Sequence, residues 1–255
     1  MFIIVSDLHI DHWNNKYIAT YPCGNVKHKP FNIEQYYDAH KYLIVAGDVS
    51  DNIDMTIHYL HTISKHFKKI LFIEGNHEHV LKYPNLYSYI DIQTKINKIC
   101  GKDNNIHYLS IKPYIIDKTV FIGYCGWWDY NNMDTICVNN NINNYFKNWI
   151  PLHKLDSELF YNHVVFRSKR EAKLLQTYIR EYENDPTIEK IVIVTHTVPM
   201  KELTSENYGT IGNTSVFDYI ISENHSKIKY WIYGHTHYDL DIQKKNDITF
   251  IRNSR

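Results

Sequence analysis

The sequence lacks a surplus of charge, a long apolar run and any paired-cysteine motif. Its 28 basic residues balance 28 acidic ones, so no overall field attracts nucleic acid and any attraction to phosphate has to be local. No apolar run approaches the roughly 18 residues of a membrane span, and the four cysteines show no C-x-x-C spacing. The short apolar N-terminus, without basic residues before it, predicts a buried strand rather than a signal peptide. We therefore expect a cytoplasmic protein with no membrane partner.

Several catalytic motifs are also missing. The sequence contains no G-x-x-x-x-G-K-[ST], no G-x-G-x-x-G, no G-x-S-x-G and no H-E-x-x-H. These absences argue against a P-loop NTPase, a Rossmann dehydrogenase, a serine hydrolase of the nucleophile-elbow type and a zincin. Disorder is excluded too, because 44 % of the residues are hydrophobic and 15 % are aromatic.

What the sequence does contain is a series of short apolar runs, each followed by Asp, Asn or His. The runs are FIIVSD, YLIVAGD, KILFIEGNH, KIVIVTH and KYWIYGH, and their length and Ile/Val content predict strands buried on both faces. Helices are predicted over 32–41, 52–67, 85–99, 163–184 and 214–224, and antiparallel strands around 106–124 and 238–251. We expect one α/β domain over 1–255, with a long loop or lid at about 125–162.

The residues after these runs are types that bind metals. In α/β sheets, ligands bind beyond the carboxyl ends of the strands, and alternation lets His235 and His237 converge on one point. Taken singly, each feature has a plainer interpretation: Asp48 and Asp51 fit a turn with a helix N-cap, and Gly-Asn at 75–76 fits an ordinary turn. Five such endings in one chain favour a shared site.

Together these residues resemble the calcineurin-like metallophosphoesterase superfamily. The blocks D-x-H, G-D-x-x-D, G-N-H-[DE], H and G-H-x-H all occur in that order, from Asp7 to His237. The resemblance implies a four-layer αββα sandwich with mixed sheets flanked by helices, and a centre of two metal ions. The implied ligands are Asp7, His9 and His237 for one metal, Asn76, His196 and His235 for the other, and Asp48 bridging both. It also implies that His77 is catalytic and lies near the substrate, oriented by Asp51.

The ligand chemistry agrees with a phosphoester substrate. Nitrogen and oxygen ligands without thiolate suit Mn, Fe or Zn, with Ni or Mg as further candidates. Two divalent cations against the carboxylates of Asp7 and Asp48 leave a cationic centre, which attracts phosphate on an otherwise neutral chain. Such a pair can activate water and stabilise an in-line displacement, and His77 can protonate the leaving oxygen.

The choice of phosphoester depends on what the motif blocks lack. Ser/Thr protein phosphatases of the superfamily carry arginines where this chain has Asn52 and Glu74, and Glu74 would oppose a dianion if it faced the site. A diester monoanion needs less positive charge, so we expect a phosphodiesterase acting on nucleotides or nucleic-acid ends. Aromatic residues within 125–162 are candidates for stacking on a base.

Two further functions are compatible with the same residues. A phosphomonoesterase acting on a phosphorylated metabolite or protein would carry the same motifs. A non-catalytic scaffold of the same fold would lack ligands or the equivalent of His77, and none is missing here. His12, His79 and Trp128 are further candidates for substrate contact, although surface histidines and a core-packed or lid-packed tryptophan are the plainer interpretations.

Overall fold

Two β-sheets, each covered by helices, form the core of the chain. A computed structural model describes residues 1–13, 31–79, 89–100, 105–130, 135–145, 157–204, 215–237 and 240–254. The strands are β1 (Phe2–Val5), β2 (Asp38–Ala46), β3 (Phe67–Ile73), β4 (Ile106–Tyr108), β5 (Tyr114–Ile116), β6 (Thr119–Tyr124), β7 (Lys190–Thr195), β8 (Ile228–Tyr233), β9 (Asp241–Lys245) and β10 (Ile248–Arg252). The helices are α1 (Ile53–Ser64), α2 (Tyr89–Cys100), α3 (Thr135–Tyr145), α4 (Ser157–Asn184) and α5 (Asp218–Ser222).

The two sheets differ in topology. The first has the order β1-β2-β3-β4, and all of its pairs are parallel. The second has the order β5-β6-β7-β8-β10-β9, with a parallel centre and one antiparallel pair at each edge. The antiparallel pairs, β5–β6 and β9–β10, confirm most of the antiparallel structure expected around 106–124 and 238–251, but β4 at the start of the first stretch pairs parallel to β3. Asn246 and Asp247 both have positive φ in the two-residue turn between β9 and β10, as a tight hairpin requires.

Alternating side chains along the strands build the layers. In β2, Leu43 and Val45 pack into the cluster that contains the buried residues of α1, whereas Ile44 and Ala46 pack into a cluster shared with the second sheet. The strand is thus buried on both faces, as its continuous apolar run predicts. On the far side of the second sheet, α4 covers β6 and β7 with an apolar stripe that includes Leu175.

Helix α1 begins where the sequence provides a cap. Asn52 Oδ1 accepts hydrogen bonds from the backbone N–H groups of Asp54 (3.0 Å) and Met55 (3.2 Å), which satisfies two of the free donors at the helix start. The cap is therefore Asn52 rather than Asp48 or Asp51, so those two carboxylates are available to the site.

One predicted helix is wrong. Residues Ile33–Tyr36 form only a 3₁₀ turn, and β2 already begins at Asp38, which pairs with Phe67 at the start of β3. Pairing with strands on both sides overrides the local helical pattern of 32–41. The other four predicted helices correspond to α1, α2, α4 and α5, although α4 starts earlier than 163 and only Asp218–Ser222 of 214–224 is α-helical.

The region 125–162 is also more ordered than a long loop. Its described part contains α3 and the first turn of α4. Trp127, Trp128 and Tyr130 pack against residues of both helices in what we call the aromatic cluster. Residues 131–134 and 146–156 of that region lie outside the described residues. Within the described residues, no helix is both long enough and apolar enough to cross a membrane.

Candidate metal centre

Seven side chains from both sheets meet at the carboxyl ends of their strands. The first sheet contributes the residues that follow β1, β2 and β3, and the second sheet contributes those that follow β7 and β8. The seven are Asp7, His9, Asp48, Asn76, His196, His235 and His237. All five of these strands run parallel to their neighbours within their sheets, so their carboxyl ends lie on one side and bring these loops together.

The ligand atoms form two adjacent groups that share one carboxylate. Ligand atoms of Asp7, His9, Asp48 and His237 all lie within 4.8 Å of one another, and so do those of Asp48, His196 and His235. In the first group, His9 Nε2 lies 3.3 Å from His237 Nε2. The two groups are therefore candidates for two metal positions that share Asp48.

The second group also includes an amide oxygen. His196 Nε2 lies 3.0 Å from Asp48 Oδ2, 3.1 Å from His235 Nδ1 and 3.0 Å from Asn76 Oδ1. These atoms are all metal-ligand types that point at one another. The sequence-based prediction assigned these same four residues to one metal and the bridge, and the structure brings them together.

Backbone groups hold two of the ligands in orientation. His196 Nδ1–H donates to the carbonyl of Ala46 at 2.8 Å, which fixes the ring with Nε2 toward the centre. The backbone N–H of His235 donates to both oxygens of Asp7 at 3.0 Å, and Ser6 Oγ donates to Asp7 Oδ2 at 2.5 Å. Both contacts from the histidines cross from one sheet to the other.

The backbone at the centre is left-handed at five ligand positions. Asp7, His9, Asp48, His235 and His237 have φ between 43° and 72°. Such values are uncommon outside glycine, although Asp and His tolerate them better than most residues. Residues in this region cluster at functional sites, where the surrounding structure compensates for the strain.

Three motif glycines lie directly against ligands from other strands. A Cβ on Gly47 would lie 2.7 Å from His196 Nδ1, and one on Gly234 would lie 2.6 Å from Asp7 Oδ2. A Cβ on Gly75 would lie 2.6 Å from Asp48 N and would also meet its carboxylate. The glycines that precede Asp48, Asn76 and His235 are therefore required because any larger side chain would collide with another ligand.

The protonation states fit a metal site. Burial, followed by the charges of His77 and His237, holds the pKa of His9 well below its usual value, and burial likewise lowers the pKa of His237. Both rings are thus neutral at neutral pH, which is the form that binds metal. Burial opposes protonation of His196 as well, but the neighbouring Asp48 carboxylate outweighs it and raises its pKa to about 9.

His77 and Asp51 form a pair beside the two groups. His77 Nδ1 lies 2.5 Å from Asp51 Oδ1, and its Nε2 lies 3.9 Å from Asp48 Oδ2. Burial disfavours a charged His77, but the carboxylates of Asp48 and Asp51 raise its pKa to about 10. The pair therefore presents a protonated Nε2 toward the centre in the metal-free protein.

Comparison with known proteins agrees with this geometry. The profile of the calcineurin-like phosphoesterases matches residues 1–239, which include every residue of the centre. The chain belongs to this family. As a calcineurin-like phosphoesterase it is a phosphoester hydrolase, and it carries candidate metal-ligand groups, in keeping with the metal dependence of the family.

Similar proteins span nearly the whole chain. An uncharacterized protein of Acanthamoeba polyphaga mimivirus is 22 % identical over 244 residues, covering 92 % of this chain and 83 % of that protein. Among solved structures, the phosphopantetheinyl hydrolase PptH of Mycobacterium tuberculosis has a TM-score of 0.67 at 16 % identity, covering 100 % of this chain and 88 % of its own. A dimetal phosphatase from Danio rerio has a TM-score of 0.54 at 12 % identity, covering 98 % and 86 %. At these identities the solved structures establish a shared fold.

Two of the three candidate substrate contacts of this phosphoesterase are buried. Trp128 is fully buried, and its ring stacks on His235 with centroids 5.7 Å apart. His79 is 3 % exposed and lies edge-on to Trp127. Burial of both side chains argues against these two predictions. Because Trp127 and Trp128 are both buried, neither presents a ring face on which a base could stack.

The third candidate, His12, lies at the rim of the centre. Its side chain is 18 % exposed, and its ring stacks on His9 with centroids 5.5 Å apart. One ligand atom each of Asp11, His12 and Asp51 lies within 4.8 Å of the others. Of the three candidates, His12 is thus the one that stays partly exposed beside the ligand groups.

Glu74 does not face the substrate side. It is fully buried and accepts hydrogen bonds from Gln93 Nε2 (3.0 Å) and Ser110 Oγ (2.7 Å). Since Asn52 is the cap of α1, neither position that carries arginine in protein phosphatases takes part in this site.

Sequence reasoning missed Glu78, the acidic residue that ends the G-N-H-[DE] block and to which the motif assigns no role. It is fully buried beneath the centre and hydrogen-bonded to backbone groups of two ligand-bearing turns. Burial, followed by the nearby Asp48 carboxylate, raises its pKa to about 7, while the N–H groups of Gly75 and Val49 act in the opposite direction. Its position as the fourth residue of G-N-H-E was the available signal.

Proposed function

We propose that the chain is a phosphodiesterase that uses two divalent metal ions. The observation that carries the proposal is the pair of ligand groups that share Asp48 and draw on both sheets. Asp7, His9 and His237 would hold one metal, and Asn76, His196 and His235 the other. The mixed imidazole, carboxylate and amide donors fit Mn, Fe or Zn, and less closely Ni or Mg.

Bound in these positions, two such cations would activate water as a nucleophile and neutralise charge on the phosphoryl oxygens. The protein itself would hold the metal ligands in place and supply one proton to the leaving oxygen. Asp51 orients His77 through Nδ1, and Nε2 would donate a proton to the leaving oxygen. His12 at the rim would contact the part of the substrate that extends away from the ligands.

The preference for a diester rests on the two non-arginine positions. Arginine grips a phosphate dianion through a bidentate, charge-assisted fork, and Asn52 and Glu74 are both committed elsewhere. A diester carries one negative charge less than a monoester dianion, so it needs less compensation. Nucleotides or nucleic-acid ends are the substrate class that we propose, although buried Trp127 and Trp128 provide no stacking surface for a base.

The test begins with metal removal by chelation, followed by reloading with Mn, Fe, Zn, Ni or Mg. Hydrolysis of bis-p-nitrophenyl phosphate is then compared with that of p-nitrophenyl phosphate, and next with cyclic nucleotides and dinucleotides. Asp48→Asn is the inactive reference. Asp38→Asn is its matched control, because Asp38 begins the same strand at the end remote from the centre and pairs with Lys41 on the surface.

Metal-dependent hydrolysis that favours the diester, and that disappears only in Asp48→Asn, is the expected result. Preference for the monoester would replace the diesterase with a phosphomonoesterase. Two bound metals without turnover of any of these esters would refute the enzymatic proposal and favour a scaffold of the same fold.

A further inference from the structure

Glu78 lies in the 3₁₀ turn His77–His79 that follows β3, and it has no exposed surface. Its carboxylate accepts five hydrogen bonds, four of them from backbone N–H groups. Oε1 accepts from Val49 N (2.7 Å), Ser50 N (3.3 Å) and Thr56 Oγ1 (3.1 Å). Oε2 accepts from Asp48 N (3.0 Å) and Gly75 N (2.7 Å).

The four backbone donors come from two different turns that carry ligands, and Thr56 lies in α1. One turn follows β2 and carries the shared ligand Asp48, and the other follows β3 and carries Asn76. The backbone N–H of His77 in addition donates to Asp48 Oδ1 at 2.8 Å. Asp48 is thus held at its backbone by Glu78 and at its side chain by the residue that precedes Glu78.

Only a carboxylate of this length satisfies the arrangement. A buried carboxylate is costly unless donors surround it, and charge-assisted hydrogen bonds from backbone N–H groups supply that compensation here. A glutamine would turn an NH₂ group toward at least two of the backbone N–H groups, and these donors would then lack an acceptor.

We propose that Glu78 is a positioning residue that ties the Asp48 turn to the Asn76 turn and thereby sets the geometry of both metal positions. The proposal rests on the metal centre of the proposed function. It assigns Glu78 no contact with metal or substrate. Its effect is to keep two ligands from neighbouring strands at a fixed separation before metal arrives, which lowers the cost of ordering them on binding.

The test compares Glu78→Gln with Glu74→Gln. Both are buried glutamates separated by four residues, and both changes remove one charge while keeping the shape of the side chain. Glu74 accepts hydrogen bonds from the side chains of Gln93 and Ser110, and its Oε1 lies 4.0 Å from His79 Nε2. Within the described part of the chain, the Glu74 carboxylate accepts no backbone hydrogen bond from the Asp48 turn or the Asn76 turn, in contrast to Glu78. The affinities of the chelated protein for Mn²⁺ and Zn²⁺ are measured by titration calorimetry, with unfolding midpoints recorded in parallel.

Glu78→Gln is expected to bind both metals about 10- to 100-fold more weakly, in the range seen for groups that orient metal ligands, whereas Glu74→Gln keeps the wild-type affinity. Wild-type affinity in a folded Glu78→Gln variant would overturn the proposal. An equal loss in Glu74→Gln would overturn it too, because the effect would then be general to a buried charge.

A milder variant keeps the proposal testable if Glu78→Gln does not fold. Thr56→Val removes one of the five donors without changing the shape of the side chain, and it is expected to weaken metal binding a few-fold. If Glu78→Gln does not fold, wild-type affinity in Thr56→Val overturns the proposal. A wild-type protein that binds no metal is a different outcome, since it refutes the metal centre itself.

Discussion

Gly75→Ala tests whether the space beside the shared ligand is needed for metal binding. A Cβ at this position would lie 2.6 Å from Asp48 N and would also contact the Asp48 carboxylate. Gly75 does not have a positive φ, so alanine brings no backbone strain and the change acts through contact alone. The carboxylate has to move, and its hydrogen bond from His77 N at 2.8 Å breaks.

The size of the effect follows from that contact. Forcing one extra methyl group into a packed interior costs about 1–3 kcal/mol. For a chain of this length, 1 kcal/mol lowers the unfolding midpoint by about 2–4 °C, so the metal-free variant should melt about 2–12 °C lower. Displacing a ligand shared by both groups should in addition weaken metal binding by at least about tenfold.

Gly123→Ala is the matched control. A Cβ there would lie 2.7 Å from Ile73 Cγ2 and 3.0 Å from Leu109 Cβ, in the core rather than at the centre. Both variants should lose thermal stability by similar amounts, but only Gly75→Ala should bind metal more weakly in titration calorimetry. The reasoning is refuted if Gly75→Ala binds metal like the wild type, or if Gly123→Ala loses as much affinity.

Three further predictions concern the proton donor, the ligands and the aromatic cluster. His77→Ala should keep both metals but lose about 10²–10⁴-fold in turnover of alkyl esters. The loss on p-nitrophenyl esters should be smaller, because their leaving group needs no proton. Equal losses on both kinds of ester would contradict the role of His77 as proton donor. Because Asp48 outweighs burial and raises the pKa of His196 to about 9, metal binding at neutral pH should release about one proton from it, and affinity should rise with pH until that pKa is passed. Calorimetry in buffers of different ionisation enthalpy measures this release, and heats that do not depend on the buffer would count against it. Trp128→Ala should cost about 3–5 kcal/mol in urea unfolding, since Trp128 is fully buried against His235; a cost below about 1 kcal/mol would be inconsistent with that packing.

The positions of the ligands could be predicted because they follow from two simple rules. Apolar runs such as 42–46 and 191–194 indicate buried strands, and parallel strands place their carboxyl ends together. Residue types that bind metals then stand out at those ends. The left-handed backbone at Asp7 and Asp48 could not be predicted in this way, because φ in a loop is decided by contacts with other strands.

Neighbours of the ligands were harder to assign. In the 3₁₀ turn at His77–His79, each residue is rotated by about a third of a turn from the last. His77 therefore faces the centre, Glu78 reaches the two backbone turns, and His79 packs toward Trp127. Adjacency in sequence suggested that His79 contacts substrate, and the turn points it elsewhere. Four of the five donors around Glu78 lie 22–30 residues away in sequence, which no local pattern reveals.

The division of the ligands between the two sheets also determines whether metal binds before or after the chain has folded. Asp7 and Asp48 follow strands of one sheet, and His196, His235 and His237 follow strands of the other. During synthesis, a nascent chain that ends before His237 lacks part of the set, and a chain whose sheets have not yet docked holds two incomplete halves. Metal would thus bind after the two sheets have packed together and would not direct folding. Once bound to ligands from both sheets, it would slow the unfolding step in which the sheets separate.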